Sequence, residues 1–283
     1  MPREPLPYVV ADVFTSTPLE GNQLGVFTDA RRLSAEQMQR LAREMNFAEC
    51  TFVLPPEQGG DARIRIFTPT KELPFAGHPV LGTAFVVGEQ KELDVVRLET
   101  GMGVVPLELR REGGRIVFGR MQQPIPAWRP YEREAELLAA LGARRSRLPV
   151  EAYLNGPLHV YVELESEDEV AALRPNLAAL GDHPGVGANC FAGAGSRWKT
   201  RMFAPALGVN EDPATGSAAG PLAIHLARHG RIAFGDEIEI RQGVELRRPS
   251  TLFARAIGTR DKIERVEVGG SAVVVARGEF NNC

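Results

Sequence analysis

The chain has 283 residues, 43% of them hydrophobic, and its 33 basic and 36 acidic residues give a formal net charge of -3. A chain of this length can bury a sizeable core and is long enough for one large domain or two medium ones. Neither sign of charge forms a sustained run, so nucleic-acid and membrane partners are not expected. No apolar run approaches the roughly 20 residues of a membrane span.

The cysteines Cys50, Cys190 and Cys283 form no C-x-x-C pair, and the N-terminus lacks the features of a secretory signal. We therefore expect a cytoplasmic protein with reduced thiols. Neither Cys50 nor Cys190 lies at a predicted helix start, so both are predicted to be small buried hydrophobes rather than nucleophiles.

The first half of the chain predicts alternating strands and helices. A capping box of Ser34 and Gln37 opens a helix in SAEQMQRLAREMN, and a second helix follows the loop FTPTKELPFAGHP. The Gly113-Gly114 pair predicts a turn between two strands. Strands are predicted where β-branched and aromatic residues cluster, in YVVADVF, LGVFT, ECTFVLP, ARIRIF, VVRLET, GVVPLELR and RIVFGRM.

The proline-rich segment MQQPIPAWRP predicts a linker at 124–130 between an N-terminal domain, 1–123, and a C-terminal domain, 131–283. This boundary allows the last strand of the chain to pack with the N-terminal domain. The second half predicts a similar mixture, with one helix in EDEVAALRPNLAAL and a glycine-rich loop in GDHPGVGAN.

Two segments of the chain repeat each other. IRIFTPTKELPFAGHPVLGTA and TRMFAPALGVNEDPATGSAAG share an apolar strand, Phe-x-Pro, a loop, Pro-x-x-Gly, a small residue and a helix. The repeat predicts two pseudo-symmetric domains whose helix N-termini face a shared cleft. The first turn of a helix carries unpaired N–H groups and a partial positive charge, so two such ends can bind a carboxylate or a developing enolate.

The Asp-Pro of the second copy also has a plainer interpretation. Asp212 is a favoured N-cap residue and Pro213 is favoured at the first helical position, so the pair can simply begin a helix. The accompanying repeat, glycine and hydroxyl favour a binding role in addition.

Proton transfer next to a carboxylate-bearing carbon needs a base, an acid and stabilisation of charge. Glu49 opens the apolar strand ECTFVL, where burial would raise its pKa, and it is the candidate base. His78, at a helix start, is a candidate proton donor, and Asp212 supplies a second carboxylate. The alternatives left open are a strand-end glutamate in solvent and a histidine packed in a loop.

The sequence lacks the motifs that are typical of several other classes of enzyme. No G-x-S-x-G, dinucleotide fingerprint or Walker lysine is present. His225 and His229 stand four residues apart on a predicted helix, but without a third ligand they are interpreted as a polar edge. No metal site is therefore predicted.

Over nearly the whole chain, the sequence resembles the phenazine-biosynthesis PhzF-like isomerases, a family with the diaminopimelate-epimerase-like fold. The most specific signatures are AGHPVLGTA and EDPATGSA, accompanied by NFAECTFVL, RQGVELRRPSTLFA and VEVGGSAVVVARGEF. The resemblance implies an α+β fold of two pseudo-symmetric domains, each a curved, mostly antiparallel sheet around a central helix, with the active site between them. It also implies a cofactor-independent, often homodimeric isomerase.

The resemblance places the family's acid/base glutamate at Glu49, its histidine at His78 and its aspartate at Asp212. It places contacts to the substrate carboxylate at Gly77, Thr215, Gly216 and Ser217. Ala48 and Gln23 depart from the family's usual residues, which leaves the substrate unassigned. The related epimerases carry cysteines at the two helix starts, where this chain has His78 and Ser217, so a two-thiol mechanism is not expected.

We therefore expect an isomerase that moves a proton on a small carboxylate-bearing substrate in an interdomain cleft. The alternative is a non-catalytic member of the fold that binds a metabolite or a protein.

Overall fold

The computed structural model describes residues 5–281. Cys283 and the first four residues lie outside the described part of the chain. The helices of the first half are α1, Ala35–Met45, and α2, Gly77–Lys91. Its strands are β1 Leu6–Val13, β2 Asn22–Phe27, β3 Glu49–Leu54, β4 Ala62–Phe67, β5 Glu72–Leu73, β6 Val95–Thr100, β7 Gly103–Glu112 and β8 Arg115–Gln123.

The second half contains the helices α3 Glu134–Leu141, α4 Glu167–Ala172, α5 Leu177–Gly181 and α6 Gly216–Arg228. Its strands are β9 Ala127–Pro130, β10 Glu151–Leu154, β11 Leu158–Glu163, β12 Val186–Ala194, β13 Arg197–Ala204, β14 Val209–Asp212, β15 Glu237–Gln242, β16 Ser250–Gly258, β17 Ile263–Gly270 and β18 Ala272–Phe280. Within residues 5–281, every helix is too short or too polar to cross a bilayer.

The chain forms two compact units, with a boundary between Gln122 and Gln123. The segment from Gly269 onward, with strand β18, belongs to the first unit, and residues 123–268 form the second. Part of the predicted linker is structured, because β9 pairs antiparallel with β10. Pro130 is compatible with this pairing because it stands at the last position of the strand.

Each unit is an α+β structure with mostly antiparallel pairing, as predicted. In the first unit, β2–β3 and β4–β6 are parallel, and β1–β2, β3–β4 and β6–β7 are antiparallel. The second unit has the same succession, since β11–β12 and β13–β15 are parallel and β10–β11, β12–β13 and β15–β16 are antiparallel. The sequence repeat therefore corresponds to a repeated topology.

The central helix of each unit is buried on all sides over most of its length. Residues 77–88 of α2 are all buried, and this helix packs against β1, β2, β3, β6, β7 and β18. Residues 216–227 of α6 are likewise buried, with contacts to β11, β15 and β16. A helix surrounded in this way needs apolar or small residues all round. At Gly82, an added Cβ would lie 2.6 Å from side-chain carbons of both Val13 and Leu24, so this close approach requires glycine.

Local signals predicted α1 well. Ser34 accepts a hydrogen bond from the backbone N–H of Gln37, and the Gln37 side chain accepts one from the backbone N–H of Ser34. The buried face of α1 consists of Met38, Leu41 and Ala42, as its periodicity predicts.

The single helix predicted in EDEVAALRPNLAAL is wrong. The structure has α4 and α5 there, with Pro175 in the segment between them. Proline lacks the N–H for a helical hydrogen bond, and its ring disfavours the helical conformation of the preceding residue, Arg174.

Candidate active site

The first unit places Glu49 against His78. Glu49 is the first residue of β3, and His78 is the second residue of α2. Oε2 of Glu49 lies 3.5 Å from Nε2 of His78, and the two side chains are 14% and 4% exposed. The alternatives of a glutamate in solvent and a histidine in a loop are therefore wrong, because Glu49 does not project into solvent and His78 lies within a helix.

The imidazole of His78 is held from its other side. Its Nδ1 lies 3.2 Å from Nδ2 of Asn22, and a backbone hydrogen bond joins the ring to Gln23. Burial lowers the pKa of His78 to about 3, so the ring is neutral near pH 7. The cause of this shift is desolvation of the ring. Nε2 has no hydrogen-bond partner among the described residues, and Oε2 of Glu49 is 3.5 Å from it.

Asn22 was missed as a site residue. It is 1% exposed and sits in the GNQ segment, next to the position where Gln23 departs from the family pattern. The Gln23 departure was interpreted as bearing on the substrate, and no role was predicted for the neighbouring Asn22 side chain, which contacts His78. Polar residues in a turn have many uses, and only the fold brings this one to the ring.

The second unit places Asp212 against Thr215. Asp212 is the last residue of β14, its backbone pairs with Met202, and it is 6% exposed. Oδ2 of Asp212 accepts a hydrogen bond from Oγ1 of Thr215 at 2.6 Å. The prediction that Asp212 caps the helix and Pro213 begins it is wrong, since Thr215 is the N-cap residue and Gly216 the first of α6. Strand pairing keeps the Asp-Pro outside the helix.

Gln242 stabilises the turn from Asp212 to Thr215 by hydrogen bonds, and it was not predicted as a site residue. Its Nε2 donates to the carbonyl oxygen of Asp212 at 2.7 Å and to Oγ1 of Thr215 at 2.9 Å. Its Oε1 accepts from the backbone N–H of Thr215 and from Oγ1 of Thr200, both at 3.2 Å. The RQGVEL segment contributed to the family resemblance, but no local feature pointed to this role.

The starts of α2 and α6 lack a side-chain cap. Neither the N-cap of α2, Ala76, nor that of α6, Thr215, makes a side-chain capping hydrogen bond, and neither first turn contains an acidic residue. The N–H groups at Gly77 and Gly216 therefore lie in a region of partial positive charge without a carboxylate of the same turn to neutralise it. The start of α2 has the electrostatics of an anion site, whereas the start of α6 has the Asp212 carboxylate beside its N-cap residue.

Neighbouring side chains contact the first turn of α6 through polar groups. Oγ of Ser217 lies 2.9 Å from Nε2 of His159, whose pKa is lowered to about 3 by burial. Successive carbonyl oxygens accept further hydrogen bonds: Gly216 from Gln123 Nε2 at 2.8 Å, Ser217 from Asn155 Nδ2 at 2.9 Å and Ala218 from Tyr161 Oη at 2.6 Å. This buried polar layer fixes the helix start in place.

The thiols behave as predicted. Cys50 and Cys190 are fully buried, and desolvation raises the pKa of each to about 12. Thiolate chemistry at either position is therefore unfavourable near neutral pH.

Comparison with known proteins identifies the class of enzyme. The family model for phenazine biosynthesis-like proteins matches residues 11–278. The chain is 58% identical over 271 residues to the trans-2,3-dihydro-3-hydroxyanthranilate isomerase of Pseudomonas aeruginosa, covering 96% of this chain and 98% of that protein. A solved structure of a predicted epimerase from Pseudomonas aeruginosa, at 31% identity, superposes with a TM-score of 0.82 and covers 97% and 99% of the two chains.

The fold extends to more distant enzymes. A hydroxyproline epimerase from Agrobacterium vitis, at 12% identity, has a TM-score of 0.69 and covers 99% of this chain and 93% of its own. This likeness shows the fold alone. The relatives show an isomerase acting on a small substrate, in preference to the non-catalytic alternative. The chain belongs to the phenazine biosynthesis-like, or PhzF, family.

Proposed function

We propose that this isomerase moves a proton between carbons of a small carboxylate-bearing ring, with Glu49 as the general acid/base. The observation that carries the proposal is the pairing of a largely buried Glu49 with a neutral, buried His78, 3.5 Å apart. A carboxylate that removes a proton from one carbon can return it to another, so the atoms of the substrate are conserved and no electrons are transferred.

The proposed substrate is trans-2,3-dihydro-3-hydroxyanthranilate or a close analogue. The support is the 58% identity, over nearly both full lengths, to an isomerase named for that compound. An anthranilate skeleton carries a ring carboxylate, which suits an uncapped helix start. Loss of a ring proton leaves negative charge that neighbouring double bonds and the carboxyl group can share, and positively polarised N–H groups stabilise such charge.

In this proposal each unit supplies its own set of residues. Glu49, His78 and Gly77 come from the first unit, and Asp212, Thr215, Gly216 and Ser217 come from the second. We propose that the residues of the second unit bind the substrate carboxylate. The step uses only side chains and backbone N–H groups, so no cofactor takes part. Following the family resemblance, we also propose that the active form is a cytoplasmic homodimer.

The test is Glu49→Gln, a nearly isosteric change that removes the base. Turnover of trans-2,3-dihydro-3-hydroxyanthranilate, followed by its absorbance, is expected to fall by a factor on the order of 10² or more. Binding of the substrate, measured by calorimetry, is expected to survive because the anion-binding groups remain.

The matched control is Glu44→Gln, a substitution of an exposed glutamate on α1. It is expected to retain wild-type turnover. If Glu49→Gln turned over at the wild-type rate, the acid/base assignment would be refuted. If the wild type left this compound unchanged but isomerised another carboxylate, only the substrate assignment would be wrong.

A further inference from the structure

Three metal-ligating side chains converge at the C-terminal end of α6. Glu151 projects from β10, and His225 and His229 lie four residues apart along α6 and its cap, on one face. Oε2 of Glu151 is 3.1 Å from Nδ1 of His225 and 3.1 Å from Nε2 of His229. One ligand atom from each residue lies within 4.8 Å of the other two. The sequence interpretation of the histidines as a polar edge lacked this third ligand.

We propose that Glu151, His225 and His229 form a binding site for Zn²⁺ or a divalent first-row metal of similar preference. Two imidazoles and one carboxylate are a ligand set that these ions favour. Bonds of about 2.0–2.1 Å at tetrahedral angles put neighbouring ligand atoms roughly 3.3 Å apart. Both distances to Oε2 are close to that spacing, and the ligand atoms of the two histidines lie within 4.8 Å of each other.

The ring of His225 is already fixed in a binding orientation. It is fully buried, stacks on Tyr161 at 24° and meets Tyr153 and Phe191 edge-on. Desolvation lowers its pKa, which favours the neutral imidazole that binds metals. The negative end of the helix dipole also favours a cation at this end of α6.

A protein cation competes for the same carboxylate. Nη1 of Arg228 lies 2.7 Å from Oε2 of Glu151, and its guanidinium lies 4.6 Å from the centre of the Trp128 ring. Arg228 therefore neutralises Glu151 when no metal is bound and must yield part of that contact when one binds. Removing its charge is expected to strengthen metal binding.

The cluster lies at the edge of the buried core and is separate from the proposed active site. The side chains of Glu151, Arg228 and His229 are 10%, 15% and 16% exposed, which gives an ion a route of entry. His225 lies eight residues after Ser217, about 12 Å along the helix at 1.5 Å per residue. A metal here would tie β10 to the end of α6 and stabilise the second unit without entering the proton transfer.

The experiment uses the tag-free full chain after treatment with a chelator. Co²⁺ is titrated while visible absorption is followed, and Zn²⁺ is measured by equilibrium dialysis. We expect one equivalent of either ion, an intense tetrahedral Co²⁺ band, and a higher melting temperature with Zn²⁺. Absence of Co²⁺ and Zn²⁺ binding in the wild type would overturn the proposal without recourse to any variant.

Variants locate the ion. His229→Gln removes a ligand and is expected to weaken binding by at least the roughly 10- to 100-fold that loss of an outer-shell partner costs. His183→Gln is the matched control, since His183 contacts Tyr131 outside the cluster, and it should bind as the wild type does. Arg228→Gln should bind more tightly. Equal affinity in the His229→Gln and His183→Gln proteins, with circular dichroism showing both folded, would place the ion elsewhere and refute the site.

Discussion

Nδ2 of Asn155 donates to the carbonyl oxygen of Ser217 at 2.9 Å, at a point in α6 where the helix cannot supply a donor of its own. In a regular helix this carbonyl would accept from the residue four positions later, which is Pro221. Proline has no N–H. A side chain from the neighbouring end of β10 therefore replaces the missing backbone donor, and the helix start that carries Ser217 remains intact.

The first prediction concerns this replacement. Asn155→Leu, similar in size but without a donor, should lower the free energy of unfolding by about 1–3 kcal/mol, because it leaves a buried carbonyl unsatisfied. In a Pro221→Ala background the restored N–H can donate to the Ser217 carbonyl oxygen. The same Asn155→Leu substitution should then lower the free energy of unfolding by clearly less. Urea unfolding followed by tryptophan fluorescence measures the cycle, since Trp128 and Trp198 both lie in the second unit. Strictly additive costs would show that Pro221 and Asn155 are independent.

The second prediction concerns Gln242 as a positioning residue. Gln242→Leu removes the partners of the Asp212 carbonyl and of Thr215, so the turn should loosen and kcat/KM should fall by a factor on the order of 10 to 100. Thr200→Val removes only the hydrogen bond between Thr200 and Gln242, and is expected to stay close to wild type. The measurements are steady-state kinetics and urea unfolding. Equal kinetic losses in the two variants would mean that Gln242 does not act through the turn.

The third prediction concerns acid stability. Burial lowers the pKa of His159 to about 3, whereas an unfolded histidine titrates near about 6.5. Protonation therefore favours the unfolded state, and the stability contributed by the neutral ring is complete above pH 6.5 and lost as the pH falls towards 3. Between these values it contributes a slope of about 1.4 kcal/mol per pH unit.

His159→Gln removes this titration while leaving an amide able to contact Ser217. Its free energy of unfolding should therefore decrease less steeply than that of the wild type between pH 7 and 5, with urea melts at several pH values as the measurement. Parallel curves for the two proteins would contradict the assigned protonation state.

The site could be predicted in part because some of its signals are local. The capping box of α1 needs only four residues, and the repeated Pro-x-x-Gly before a helix identified Gly77, His78, Gly216 and Ser217 as helix starts. Glu49 was placed by the apolar strand that follows it. Asn22 and Gln242 are far along the chain from the groups they hold, so no local pattern could assign them.

Local signals also misled where long-range pairing competes with helix formation. Asp212-Pro213 has the chemistry of a helix start, yet pairing of Asp212 with Met202 on β13 extends the strand and delays the helix to Gly216. Similarly, His225 and His229 gave a correct helical spacing, but Glu151 enters their cluster from a strand more than seventy positions earlier.

The sequence by itself determined the α+β class, the two repeated strand-loop-helix segments, the family and the identity of the acidic and histidine candidates. These follow from hydrophobic period, turn chemistry and motif order, which are properties of neighbouring residues. Only the tertiary structure decided which polar groups meet: Glu49 with His78, Asp212 with Thr215 and Gln242, and Glu151 with two histidines. Burial makes these contacts specific, because a polar group removed from water must find a partner, and the topology of the strands determines which partner is within reach.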